Sequence, residues 1–440
     1  MMTFNASKNT VLFSIIIVNV LMISCGSKSK EKDGRQMTED RSTYDQVMNV
    51  DNIKDDKAII VGANQTENYL HLLKGKRVGV VANQTSVIFK DEALNNEQIA
   101  TSHTPRNDEY IHLVDSLMAL NIDIKKVFAP EHGFRGTADA GEHVKDDIDT
   151  KTNLPLISLH GKHRKPSKAQ LEDLDVMIFD IQDVGVRFYT YISTLHYIME
   201  ACAEAEIPLL IFDRPNPNGH YVDGPTLKIE NKSFLGMHPI PLVHGMTIGE
   251  YAQIVNGEKW LTNELKCDIT IIPVKHYTHN TFYSLPIRPS PNLPNDQSIK
   301  LYPSLGLFEG TNVNAGRGTE FQFQRYGAPF LDKENLKFTY TPVPNFGAKN
   351  PKHKNKLCYG EDLKDEAIDG VMTLKWIIKA YENSTDKSLF FLTNGFTKHA
   401  GTDQLQKQIE AGLSEEAIKE TWQDDLKAFK KIRKKYLIYD

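Results

Sequence analysis

The sequence predicts an α/β protein built on a largely parallel sheet, and three observations predict it. Between Tyr69 and about Pro215, short apolar runs alternate with stretches of helical periodicity. The runs are nearly continuous in Val, Ile, Leu and Phe, as parallel strands covered by helices on both faces are. Several of them empty into loops rich in Gly, Asp, Glu and Arg, and open α/β sheets gather their chemistry beyond the carboxyl ends of their strands.

Residues 77–82, 124–128, 154–159, 176–181 and 208–212 read as strands, and residues 110–120, 168–173 and 190–205 as helices. Residues 216–300 are rich in Pro, Gly and Asn and read as a long connection. Its one helix spans 247–256, opened by Thr247 as N-cap with Glu250 three residues later, a capping box. A Pro-dense stretch at 286–294 crosses to a smaller α+β domain. That domain is built from 306–319, 389–393 and a helix at 414–433, with Ile418, Trp422, Leu426 and Phe429 on one face. No internal repeat is visible. The expected partition is a leader at 1–24, a tether at 25–57, a sheet domain at 58–285 and a C-terminal domain at 286–440, with a cleft between the last two.

Lys8 precedes an apolar stretch at 11–23, short for a bilayer span but right for the core of a secretory signal. It ends in Leu21-Met22-Ile23-Ser24-Cys25-Gly26, which resembles a bacterial lipobox with Cys25 as the lipidated residue; Met22 stands where Leu is usual. Acyl chains on Cys25 would anchor an exported protein to a membrane without a spanning helix. Residues 26–57 hold few apolar side chains and read as a disordered tether. Charge is nearly balanced, 52 basic against 57 acidic residues, so no nucleic-acid partner is expected. The basic run 352–356 and the Lys-rich C-terminal stretch read as solvated faces. Cys202, Cys267 and Cys358 are odd in number and lack C-x-x-C spacing, so neither a disulfide framework nor a zinc site is indicated. Cys202 shares an apolar helical stripe with Leu195, Ile198 and Met199 and reads as core.

Four loops share one layout. Residues 129–144, APEHGFRGTADAGEHV, carry Glu131, His132, Arg135, Asp139 and Glu142 among three glycines. Residues 178–194 carry Asp180, Asp183 and Arg187, residues 211–219 carry Asp213 and Arg214, and residues 307–320 carry Glu309 and Arg317. A polar cleft assembled from several strand ends explains this repetition better than surface solvation does. Asn83 follows the first strand, where a doubly wound fold receives its ligand. GxGxxG is absent there, so no dinucleotide and no other cofactor is expected.

The motifs PEHGFRGTADAGE, DIQDVGVRFYTYISTL, DRPNP, HGMTIGE, SPNLP, LFEGTNVNAGRGT and AGTDQL, in this order, resemble the NamZ-type peptidoglycan exo-β-N-acetylmuramidases from about residue 69 to 439. The resemblance implies a Rossmann-like domain joined to a smaller one. It also implies release of N-acetylmuramic acid from the non-reducing ends of peptidoglycan fragments, with muramyl saccharides as partners. By its place in the PEHG motif, Glu131 is the implied catalytic acid, and His132 is a candidate to bond it or the sugar. Glycoside hydrolysis usually needs a second carboxyl group, for which Asp183, Asp180, Asp139, Glu142 and Glu309 are candidates. Strand alternation places Asp180 and Gln182 on one face and Asp183 on the other. The lactyl carboxylate of muramic acid suits a planar guanidinium, with Arg187 the first choice beside Arg135 and Arg317. Tyr189, Tyr191 or Phe188 are placed to stack on the sugar ring, while Asn216, His244, Asn292 and Asn312 are candidates for its hydroxyls or acetamido group. Two other readings stay open. One is a metal-dependent hydrolase using His132, His143, His160 and His163 with Asp139, against which HExxH is missing; the other is a non-catalytic lipoprotein that captures cell-wall sugars.

Overall fold

A computed structural model of the chain describes residues 58–90, 110–136, 146–161, 163–368 and 370–440. The N-terminal part comprises α1 (Thr66–Leu73), β1 (Arg77–Ala82), β2 (Val87–Phe89), β3 (Tyr110–His112), α2 (Leu113–Ala119), β4 (Asp123–Ala129), β5 (Asp147–Ile148) and β6 (Pro155–Ser158). It continues with α3 (Lys168–Leu171), β7 (Val176–Asp180), α4 (Tyr191–Ala205), β8 (Leu209–Phe212), α5 (Ile248–Gly257) and β9 (Ile269–Ile272). Beyond these come α6 (Asp296–Leu305), β10 (Arg325–Ala328), β11 (Phe338–Tyr340), β12 (Cys358–Asp362), α7 (Lys375–Glu382), α8 (Thr393–Ala400), α9 (Gln404–Glu410), α10 (Glu415–Glu420) and α11 (Gln423–Arg433).

The apolar runs pair as their composition implies. Seven strands form one sheet in the order β5-β6-β4-β1-β7-β8-β9, parallel throughout except for the edge pair β5 and β6. β7 and β8 are buried along their whole length. The chain winds outward from β1 through β4 to β6, then returns to the other side of β1 at β7. At such a reversal the loops leaving neighbouring strands diverge to opposite faces and open a crevice. Asn83, Glu131 and Asp183 all leave the sheet there.

The capping box at Thr247 and Glu250 is present, and α4 starts directly after Thr190. One apolar core runs from Phe179 on β7 through Leu195 on α4 to Leu301 on α6, Trp376 on α7 and Phe429 on α11, and residues 57–440 form one compact unit. Cys202, Cys267 and Cys358 are free and buried. Among the described residues no helix is long and apolar enough to cross a membrane. Cys25, the apolar leader and the tether lie outside the described residues.

Four local differences have physical causes. Residues 110–112 pair with β2 as a strand, and His112 then accepts the Val114 N–H to start α2, so the helix begins three residues later than its apolar pattern implies. β9, read as connection, adds parallel to β8 because Ile269–Ile272 is a short apolar run inside a Pro- and Asn-rich context. The helix at 414–433 is two helices, α10 and α11, broken at Trp422; all four residues of the stripe stay buried. Among the described residues, the strands after residue 300 form a three-stranded antiparallel sheet, β10-β12-β11.

Candidate active site

The crevice holds a cavity of about 280 Å³. Glu131, His132, Phe188, Tyr189, Thr190 and Tyr191 line it from the loops after β4 and β7. Ser290, Asn292, Tyr302, Glu309, Arg317, Phe323 and His399 line it from the later part of the chain.

Glu131 is the second residue after β4. Pro130 starts the turn, its carbonyl accepts the Gly133 N–H at 3.0 Å, and His132 is held at φ 72°. A left-handed backbone is costly for a non-glycine residue and clusters where geometry matters; here it turns the chain sharply next to Glu131. The Thr190 hydroxyl donates to Glu131 Oε2 at 3.2 Å, which ties the carboxylate to the start of α4. His132 Nε2 lies 3.2 Å from Ser290 Oγ, and that oxygen also accepts the Asn292 N–H. The two walls are therefore bonded to each other beside Glu131.

On the other wall Arg317 Nε donates to Glu309 Oε1 at 3.2 Å. Burial opposes ionisation of Glu309, but the charges of Arg317 and Lys352 outweigh it and hold the carboxyl below the usual range. Lys352 stands behind this pair. Its ammonium donates to the carbonyls of Phe308 (2.9 Å), Glu309 (3.1 Å) and Thr311 (2.6 Å), with that of Val313 at 3.5 Å. The basic run 352–356 is thus not uniformly a solvated face: Lys354 and Lys356 are exposed, while Lys352 is turned inward.

Aromatic rings form the floor. Phe188 and Tyr302 meet edge to face at 5.2 Å, Tyr189 and Tyr191 at 4.9 Å, and Tyr302 and Phe323 at 4.8 Å. The Tyr189 hydroxyl donates to Pro289 O at 2.6 Å. Asn292 is fixed by its Nδ2 donating to Gly347 O at 2.7 Å, while its buried Oδ1 has no hydrogen-bond partner.

The sequence candidates divide. Glu131, His132, Phe188, Tyr189, Tyr191, Asn292, Glu309 and Arg317 are brought to the cavity; the following are not, each for a visible reason. Arg187 is fully buried, and Nη1 and Nη2 donate to the carbonyls of Pro225, Ile240, His399 and Ala400, which leaves no fork for a substrate carboxylate. Arg135 forks onto Asp149 at 3.2 and 2.8 Å and lies over the Phe134 ring. Asp180 is buried in a two-point pair with Arg214. Asp183 is buried beneath the floor, where Oδ2 accepts the Gly185 N–H at 2.7 Å and faces His244 Nε2 at 3.7 Å. Burial pushes the Asp183 carboxyl up to about 7 and the His244 imidazole down to about 3. Asn83 closes its own turn by accepting from the Thr85 N–H and hydroxyl. Asn216 joins Met246 O to the Asn218 N–H, and Asn312 Nδ2 is taken by Leu389 O. Asp139, Glu142 and His143 lie outside the described residues. Among those described, no three His, Cys, Asp or Glu side chains gather as a metal site would need.

Tyr302, Ser290, His399 and Lys352 are the site residues that pattern reasoning missed. Ser290 had a signal, standing inside the SPNLP motif, and so did His399, standing next to the AGTDQL motif.

Comparison with known proteins places this geometry. The family model for the N-terminal part of exo-β-N-acetylmuramidase NamZ matches residues 78–297, and that for its C-terminal part matches residues 300–439. The chain is 40% identical over 392 residues to the peptidoglycan β-N-acetylmuramidase NamZ of Bacillus subtilis (strain 168), covering 84% of this chain and 89% of that one. A crystal structure of a DUF1343 family protein from Bacteroides fragilis NCTC 9343 superposes with a TM-score of 0.76 at 44% identity, over 87% of this chain and 99% of that chain. A second DUF1343 protein from the same organism gives 0.69 at 26% identity, over 87% and 100%. With a cavity that holds two carboxylates at the carboxyl end of a parallel sheet, and with matches running from residue 78 to 439, the chain belongs to the exo-β-N-acetylmuramidase NamZ family and is a glycosidase.

Proposed function

We propose that the protein removes N-acetylmuramic acid from the non-reducing ends of peptidoglycan fragments in cell-wall turnover, with Glu131 as the general acid. The observation that carries this reading is that Glu131 shares one cavity with a second carboxylate, Glu309, which its cationic neighbours keep ionised. Glu131 gives its proton to the glycosidic oxygen as the bond from C1 breaks. Glu309 faces the positive charge that develops on the sugar, and water supplies the oxygen that C1 gains. Arg317 keeps Nη1 and Nη2 for the lactyl carboxylate while Nε holds Glu309. This arrangement favours a muramide over a glucosaminide, which would leave the guanidinium without its partner. Division of labour between residues 58–285 and 286–440, a Rossmann-like part carrying Glu131 and a smaller part carrying Glu309 and Arg317, belongs to the same reading. So does a lipid anchor on Cys25 that holds the exported enzyme at a membrane.

Glu131→Gln tests the assignment. The amide keeps the shape and the bond to Thr190 but has no proton to transfer, so turnover of the natural disaccharide falls by about 10²–10⁴-fold. A folded variant with near wild-type turnover would move the acid elsewhere. The natural leaving group is required, because an aryl leaving group departs without protonation.

A further inference from the structure

We propose that His399 recognises the 4-hydroxyl of the bound sugar through the lone pair on its Nε2, an inference that rests on the chain-end function proposed above. The argument starts from the tautomer. Gly395 O lies 2.9 Å from His399 Nδ1, and a carbonyl can only accept, so Nδ1 carries the proton and Nε2 presents a lone pair. Burial disfavours the imidazolium, and Lys352 and Arg317 add to this; the Gly395 carbonyl and Glu309 pull the other way without overturning it. The ring is therefore a neutral acceptor in the wall of the cavity.

Its position is held from behind. Arg187 takes the His399 and Ala400 carbonyls at 3.1 and 2.7 Å, which are among the last carbonyls of α8 and have no partner within the helix. Gly401 follows at φ 76°, and a Cβ there would lie 2.5 Å from Arg187 Nη2. The Phe188 ring packs on the imidazole at 5.5 Å. Arg187 thus acts on the substrate at one remove, as a positioning residue for the helix end that carries His399.

The choice of hydroxyl follows from Glu131. The acid must stand by the oxygen on C1, and it enters from the β4 side. C4 lies across the pyranose ring from C1, and His399 enters from the other wall, on α8. An enzyme that works from chain ends meets a free 4-hydroxyl only on the terminal sugar. An acceptor at that point requires a donor, which a sugar substituted at O4 lacks.

The test is steady-state kinetics of the full chain on 4-nitrophenyl N-acetyl-β-muraminide and its 4-deoxy analogue, for wild type, His399→Gln and His399→Phe. Glutamine offers an amide oxygen near the Nε2 position. Phenylalanine keeps the ring against Phe188 and offers no acceptor. Wild type is expected to lose about ten- to a hundredfold in kcat/KM on the deoxy analogue. His399→Phe is expected to lose as much on the parent substrate, chiefly through KM, and to treat the two substrates alike; His399→Gln restores most of the discrimination. Wild type indifferent to the 4-hydroxyl, or a folded His399→Phe that still discriminates, overturns the proposal. Absence of wild-type turnover on the parent muraminide would instead sink the proposed muramidase function itself.

Discussion

Replacing Asp183 with asparagine separates a buried structural acid from a catalytic one, and the structure gives the size of the effect. Asp183 is 3% exposed, its Oδ1 has no hydrogen-bond partner, and its carboxyl is pushed up to about 7 from an ordinary 3.8. Between those two values the folded chain holds a proton that the unfolded chain has released, so stability falls as pH rises through this window. The full difference is about 4 kcal/mol above pH 7 and vanishes below pH 3.8. The asparagine side chain cannot ionise and escapes this loss, although an amide nitrogen at the Oδ1 position adds a cost of about 1–3 kcal/mol that does not depend on pH. His244 is buried in its neutral form in both proteins, so its own pH dependence cancels in the comparison. Denaturant unfolding of wild type and Asp183→Asn at pH 4, 6 and 8 should show the variant gaining steadily on wild type. Over a unit of this length the total gain corresponds to about 5 °C in Tm. A stability difference that is the same at all three pH values would refute the reasoning. Loss of turnover in a stable Asp183→Asn would return this residue to the catalytic list.

Arg317→Met should reduce the preference for a muramide over the matching glucosaminide by about ten- to a hundredfold, mostly through the muramide, measured as kcat/KM on the two aryl glycosides. Arg187→Met leaves the Pro225, Ile240, His399 and Ala400 carbonyls without their donor. Thermal unfolding should report a loss of at least about 4 kcal/mol, or no folded protein, rather than a selective change in substrate choice. Cys25→Ala should leave the protein in the supernatant after cell fractionation, whereas persistence in membranes after a high-salt wash would contradict a lipid anchor.

How far the sequence could be read depended on how local the determinants are. Strands such as Arg77–Ala82 and Val176–Asp180 were visible because burial on both faces leaves an uninterrupted apolar run. β10, β11 and β12 were not, since RYGA, FTY and CYGED are short, mixed in polarity and stabilised by pairing across distant parts of the chain. Glu131, Glu309, Arg317 and Asn292 stood out because they sit in motifs. Tyr302 is a single residue on a helix, and only packing reveals that it faces the cavity. Arg187 shows the opposite error. A guanidinium after a strand reads as a ligand for an anion, and nothing in its neighbours says that four backbone carbonyls, two of them more than 200 positions away, have already occupied it.

Lys352 sets a limit on which sequences this fold can accept. Its carbonyl partners, from Phe308 to Val313, converge on a single nitrogen. An ammonium suits such a cage because it is compact and directs three donors from one point. Arginine would preserve the charge but spread its donors across a plane, and glutamine would add an acceptor where only acceptors already stand. The exposed Lys354 and Lys356 can drift to other polar residues with little effect. Two lysines in one basic run are thus interchangeable with much of the polar alphabet, while their neighbour has no natural substitute.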